Sequence, residues 1–124
     1  MSIHESGENY LEKILMLSQT QEKVRAIDLC TALGFSRPTV SVMLRELREN
    51  GFVRTAENGG IALTASGEAV ARRIYERHLL ITEALMALGV SRETALSDAC
   101  KIEHDISEET VEKLRVFLQD RKNS

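Results

Sequence analysis

A chain of 124 residues suits one domain or two small ones closely joined, and 43% hydrophobic with 28% charged residues is a globular balance. Only 4% of residues are aromatic, so the core is expected to be aliphatic, and no apolar run approaches the roughly 20 residues of a membrane span. The net charge of −3 makes no global case for nucleic acid, the polar start Met1-Ser2-Ile3-His4-Glu5 is not a signal peptide, and Cys30 and Cys100 alone fit a reducing cytoplasm rather than a disulfide framework.

The first helix is expected at about residues 6–18, with Tyr10, Leu11, Ile14, Leu15 and Leu17 on its apolar face. Glu8, Asn9, Glu12 and Met16 fall on the other side, and His4 reads as a terminal surface residue. A short second helix follows at about 25–33 (Ile27, Leu29, Cys30, Leu33), stopped by Gly34. Cys30 has no partners at metal-site spacing and is expected to fill the core.

Ser36 is a good N-cap for a third helix at about 37–50, and Pro38 sits in the first turn, where a missing N–H costs little. Val40, Met43, Leu44 and Leu47 form its buried stripe, while Arg37, Ser41, Arg45 and Arg48 recur about a quarter-turn away. Asn50-Gly51 ends it, and 52–55 and 60–63 read as two short strands around the turn Glu57-Asn58-Gly59. Residues 20–60 carry six basic against five acidic groups, a slight asymmetry that decides nothing by itself.

Helix, short helix, turn, helix with a basic flank, then hairpin is the succession of a winged helix-turn-helix. In that fold the third helix enters the major groove of DNA. Ser36, Arg37, Pro38, Thr39 and Ser41 are the expected contact edge, with Arg45 and Arg48 on phosphate. The fold class expected is mainly α, with a winged helix-turn-helix over 4–65 and a helical domain over 66–124, for which the resemblance given below implies dimerisation and metal binding.

After the wing, Thr64-Ala65-Ser66-Gly67-Glu68 reads as a capping box for a long helix at about 66–88, with Val70, Ile74, Ile81, Leu85 and Leu88 in line and His78 at the margin. A helix at about 92–105 and a last one from Ser107 to about 120 follow, the latter with Val111, Leu114 and Leu118 inward. The tail from Asp120 is polar and expected to fray.

The stretch Cys100-Lys101-Ile102-Glu103-His104 joins a thiol, a carboxylate and an imidazole at i, i+3 and i+4. On a helix these share one face. Soft sulfur, hard oxygen and borderline nitrogen are the donors of transition-metal sites, although a half-buried Cys beside a solvated charge pair has the same spacing.

Glu8-Asn9-Tyr10-Leu11-Glu12, Ser36-Arg37-Pro38-Thr39-Val40-Ser41, Leu63-Thr64 with Ser66-Gly67, Arg77-His78, and Ile102-Glu103-His104 with Ser107 carry a resemblance. Over residues from about 6 to 118 the chain resembles the diphtheria toxin repressor and manganese transport regulator family of metal-activated repressors, in its short form without a further SH3-like domain.

The resemblance implies that Glu103 and His104 are metal ligands. It also implies roles for position 100 (Cys in the iron-responsive branch, Glu in the manganese-responsive one) and for Glu12 and His78, which the manganese branch uses. Asn9 stands where the manganese branch has Asp and the iron branch Met, so it is the weakest member of the set. Leu96 replaces a His of the iron branch's ancillary site, and Glu83 lies five residues past His78 rather than four.

The cofactor expected is a divalent transition metal, Fe²⁺ first because of the Cys100 thiolate and Mn²⁺ next. The implied function is a cytoplasmic repressor of metal-homeostasis genes, binding a palindromic double-stranded DNA operator as a homodimer, with no membrane and no small organic substrate as partner. An ion held by both halves would fix the spacing of two recognition helices. The competing readings are a winged-helix regulator responding to an organic ligand, with the Cys-Glu-His trio incidental, and a hydrolytic zinc enzyme.

Overall fold

The computed structural model describes residues 5–123, so His4 and Ser124 lie outside the described residues. Eight elements follow in order: α1 (Glu5–Ser18), α2 (Ala26–Leu33), α3 (Arg37–Glu49), β1 (Val53–Thr55), β2 (Ile61–Leu63), α4 (Ala65–Ala87), α5 (Arg92–Ile102) and α6 (Glu108–Lys122). The chain divides into two compact units, Met1–Arg72 and Arg73–Ser124, and the division falls within α4.

In the first unit, Tyr10, Leu11, Ile14, Leu15, Val24, Leu29, Val40, Leu44, Leu47 and Val53 are buried, the apolar stripes of three helices and the hairpin. Gly34, at a left-handed φ of 76°, ends α2 and donates its N–H to the Cys30 carbonyl, a conformation that other residues adopt at a cost. Two residues later the Ser36 hydroxyl accepts the Thr39 N–H at 3.4 Å and opens α3, so a tight connection orients α3 against α2. Four positions behave differently from their sequence patterns: Ile27 is exposed, Cys30 is half-buried, and Glu8 and Glu12 are buried, not solvated. A short α2 exposes much of its own apolar face, whereas the polar face of α1 is covered.

The hairpin is antiparallel, with Val53 opposite Leu63, Arg54 opposite Ala62 and Thr55 opposite Ile61. Ile61 also donates to the Val24 carbonyl at 2.8 Å, and the Asn58 amide donates to Glu22 O at 3.0 Å, so the wing is tied to the segment before α2. Thr64 caps α4 by accepting the Gly67 N–H at 3.1 Å while its hydroxyl donates to Gly51 O. The expected capping box is therefore only half present, because Gly67 at the third helical position has no side chain to reach back, and Glu68, one residue on, pairs with Arg72. At Gly67 any Cβ would overlap the Phe52 carbonyl, which explains the missing side chain at that close approach.

In the second unit, Ser91 and Ser107 cap α5 and α6 by accepting the Thr94 and Thr110 N–H groups. Ile74, Ile81, Ala84, Ala95, Ala99, Val111 and Leu118 are buried there. Leu88 lies just past the end of α4 and is 76% exposed, so it is not part of the inward line. The last helix runs on to Lys122 rather than fraying from Asp120, and Asn123 ends it. Basic Arg121 and Lys122 in its final turn suit the negative end of the helix dipole.

Candidate metal centre

The helix carrying the Cys-Glu-His stretch is shorter than its pattern implies: α5 stops at Ile102, and Glu103 is its C-cap. Glu103 keeps right-handed helical angles (φ −57°, ψ −23°) and donates its N–H to the Ala99 carbonyl, so its side chain still follows Cys100 on the helix face. His104 falls in the turn beyond. The spacing argument thus holds for Cys100 and Glu103, and His104 approaches from the bend.

His78, on α4, closes the arrangement. The ligand atoms of His78, Cys100 and Glu103 all lie within 4.8 Å of one another. His78 Nδ1 is 3.0 Å from Glu103 Oε2 and 3.9 Å from Cys100 Sγ. His104 Nε2 approaches the other carboxylate oxygen at 3.5 Å. Glu103 is fully buried, His78 is buried, and the Cys100 residue is exposed. The Thr82 hydroxyl donates to the His78 carbonyl at 2.7 Å and holds that turn of α4.

The donor set fits a divalent transition metal. Burying a carboxylate is expensive unless it is paired, and Glu103 Oε1 is buried without a hydrogen bond. A cation among one carboxylate, one thiolate and neutral imidazoles would satisfy that oxygen with donors of mixed softness. Imidazole binds the metal through a neutral nitrogen, whose tautomer its other nitrogen's partner sets.

The other sequence-derived candidates fall as follows. Glu12 and Asn9 lie on α1 in the first unit, Glu12 buried and Asn9 half-buried. Glu83 is exposed and pairs with Lys122 at 3.5 Å, and Leu96 is half-buried, so neither joins the cluster. Ser36, Arg37, Pro38, Thr39, Ser41, Arg45 and Arg48 are all exposed along α3, beside the wing. Arg45 is 4.0 Å from Glu49 in a well-solvated pair, which leaves its charge available at little cost.

Two participants were not singled out by pattern. Arg77, buried beside His78 in sequence, reaches the bend after α5, and Glu108 pairs with it. In the sequence Arg77 stands out only beside His78 in the resemblance, and the role of a charged residue on α4 needs a three-dimensional partner to be read.

Residues 2–61 match the family described as iron dependent repressor, N-terminal DNA binding domain, and residues 64–124 match iron dependent repressor, metal binding and dimerisation domain. The chain is 39% identical over 112 residues to the transcriptional regulator MntR of Escherichia coli O157:H7, covering 90% of this chain and 72% of that protein. It is 32% identical over 121 residues to the HTH-type transcriptional regulator MJ0568 of Methanocaldococcus jannaschii, covering 96% of this chain and 97% of that one.

Among solved structures, the manganese regulator SloR superposes with a TM-score of 0.81 at 31% identity, over 96% of this chain and 55% of that chain. A manganese-dependent transcriptional repressor in complex with manganese gives 0.84 at 29% identity, over 91% and 52%. The chain therefore spans about half the length of these two structures.

The similarity runs through both units: the match to a metal binding and dimerisation domain decides for metal dependence over an organic-ligand regulator, and the relatives are transcriptional regulators, not zinc hydrolases. The chain belongs to the iron dependent repressor family, with a DNA-binding part followed by a metal-binding and dimerisation part.

Proposed function

We propose that this protein is a cytoplasmic repressor of metal-homeostasis genes, which binds a palindromic operator as a homodimer when a divalent ion is held by His78, Cys100, Glu103 and His104. The observation that carries the reading is the convergence of His78, Cys100 and Glu103 within 4.8 Å around a buried carboxylate. Glu12 joins the ligand set on the strength of the resemblance and of its burial, and Asn9 on the resemblance alone. An Asn carbonyl brings oxygen without charge, so Asn9 contributes least.

When bound, the ion supplies the positive charge that lets buried carboxylate and thiolate groups lie side by side. The chain's own residues then set what that charge favours. An ion that binds one arrangement of the chain better than the others shifts the population towards that arrangement, and differential affinity is what drives such a shift. Exposed Leu79, Leu88, Val116 and Phe117 give the second unit apolar surface for a two-fold contact. On α3, Arg37 with Ser36, Pro38, Thr39 and Ser41 reads the groove, and Arg45 and Arg48 bind phosphate.

Fe²⁺ is the first-choice metal because Cys100 offers a soft thiolate, and Mn²⁺ is next. Iron stands in the family's description, whereas manganese is bound or sensed by the two solved relatives, so both belong in the test. Among the described residues no helix is long and apolar enough to cross a membrane. The deciding experiment is a gel-shift titration with Fe²⁺ (under anaerobic conditions), Mn²⁺, Co²⁺ and Zn²⁺ against a chelator control. Affinity should rise with metal; equal affinity in chelator and in every metal overturns the reading.

A further inference from the structure

Arg77 is 5% exposed, and such a buried guanidinium needs several partners to be tolerated. It finds them in the bend between α5 and α6. Its Nη1 donates to the Ile106 carbonyl at 2.8 Å and to the Glu103 carbonyl at 3.3 Å, and its Nη2 pairs with the Glu108 carboxylate. The bend needs such donors. Carbonyls at the end of a helix have no intrahelical partner, and the chain turns before the next helix can provide one. Five N–H groups in a planar fork can serve two carbonyls and a carboxylate together, which a lysine ammonium on its flexible stem cannot do in the same geometry.

The consequence concerns two neighbouring side chains of α4. His78 meets Glu103 through the carboxylate, and Arg77 meets the same residue through its backbone carbonyl. His104 lies inside the clamped span, between Glu103 and Ile106. Two residues with ligand-type side chains therefore hang from a piece of backbone whose position a single guanidinium sets. Glu108, at the start of α6, balances the buried charge and orients it.

We propose that Arg77 is a positioning residue of the metal centre: without touching the ion, it fixes the 103–106 bend so that Glu103 and His104 meet His78 and Cys100 in binding geometry. Glu108 supports it through the ion pair. Residues that orient ligands from behind typically change metal affinity about 10- to 100-fold when removed. The inference rests on the proposed metal site, and the test separates the two.

The full-length chain is compared with Arg77→Met, Arg77→Lys and Glu108→Gln. Co²⁺ and Mn²⁺ affinity are measured by chelator competition, the Co²⁺ ligand-field spectrum is recorded, and amide exchange is followed in metal-free protein. Arg77→Met is expected to lose about 10- to 100-fold in affinity and to shift the Co²⁺ spectrum. The amides of Glu103 and Asp105, which bond to Ala99 O and Ile102 O, should exchange faster even without metal, while those of α4 keep their protection. Arg77→Lys and Glu108→Gln, which leave a cation or the fork in place, should lose less.

If the wild-type chain binds no metal, the site reading fails. If it binds and Arg77→Met matches it in affinity and Co²⁺ spectrum, the positioning role alone is overturned, even where that variant melts lower. Should Arg77→Met not fold, Arg77→Lys and Glu108→Gln decide by the same two readouts: unchanged affinity and spectrum in both overturn the role.

Discussion

Nδ1 of His78 lies 3.0 Å from Oε2 of Glu103, joining the middle of α4 to the end of α5 across 25 positions of sequence at a carboxylate with no solvent exposure. A buried carboxyl group needs a polar partner to be tolerated, and here the group that faces it is itself of a metal-ligand type. At the proposed centre, a divalent ion would replace this contact.

Glu103→Gln preserves shape and removes the charge, and His78→Ala removes the facing donor. A ligand that binds only the folded state at about 100 times its Kd stabilises by about 2.7 kcal/mol. The wild-type chain is expected to gain that much with saturating metal, read as a rise in melting temperature, and either variant less than about 1 kcal/mol at the same concentration. A full metal-linked rise in both variants would move the site elsewhere.

If Cys100 is a ligand, as proposed, metal choice turns on it. Replacing its thiolate by a carboxylate hardens the donor set, so Cys100→Glu is expected to move the order of activating metals towards Mn²⁺. Operator binding titrated with Fe²⁺ and Mn²⁺ side by side checks it. An unaltered ranking would mean that another residue selects the ion.

Arg45 and Arg48 are both exposed on α3. If each neutralises one phosphate, Ala at either position should weaken binding to all sequences alike and flatten the plot of log K against log salt by about 1 per protomer. Arg37→Ala should instead relax the preference for one base pair, worth about 1–3 kcal/mol. Binding isotherms at several salt concentrations, on operator and scrambled DNA, tell the two kinds of contact apart.

Tyr10 carries a pH signature. Burial first, and the charge of Cys30 second, raise its phenol above the ordinary value of 10.0. The folded state therefore favours the protonated form. That contribution is complete below the ordinary value and is lost as pH rises through the higher folded one. Its hydroxyl is buried without a hydrogen bond, so Tyr10→Phe should be neutral or slightly stabilising at pH 7. Urea melts above about pH 10 should fall less steeply for the variant than for the wild type; parallel curves would show that Tyr10 does not govern the alkaline loss.

The elements were readable in the sequence because their causes are local. Ser36, Ser91 and Ser107 cap the helices that they precede, Gly34 ends α2 at positive φ, and the alternation of apolar residues marks α3. The end of α5 was not readable, since Glu103, His104 and Asp105 continue a plausible helical pattern; what stops the helix at Ile102 is the bend, whose carbonyls find donors from Arg77. The same limit applies to α6, where nothing in the polar tail distinguishes a frayed end from a helix running to Lys122.

By itself, then, the order of residues determined the helices, the hairpin and the kinds of side chain available for metal and DNA, because caps, turns and periodicity act over a few residues. Which side chains meet was decided only by the tertiary structure. It brought His78 to Glu103 and Cys100, left Glu83 with Lys122, buried Glu12 on a face that the pattern assigned to solvent, and gave Arg77 the bend to hold. Contacts between positions some 25 residues apart depend on the packing of whole helices, and a buried charge reveals its purpose only beside its partner.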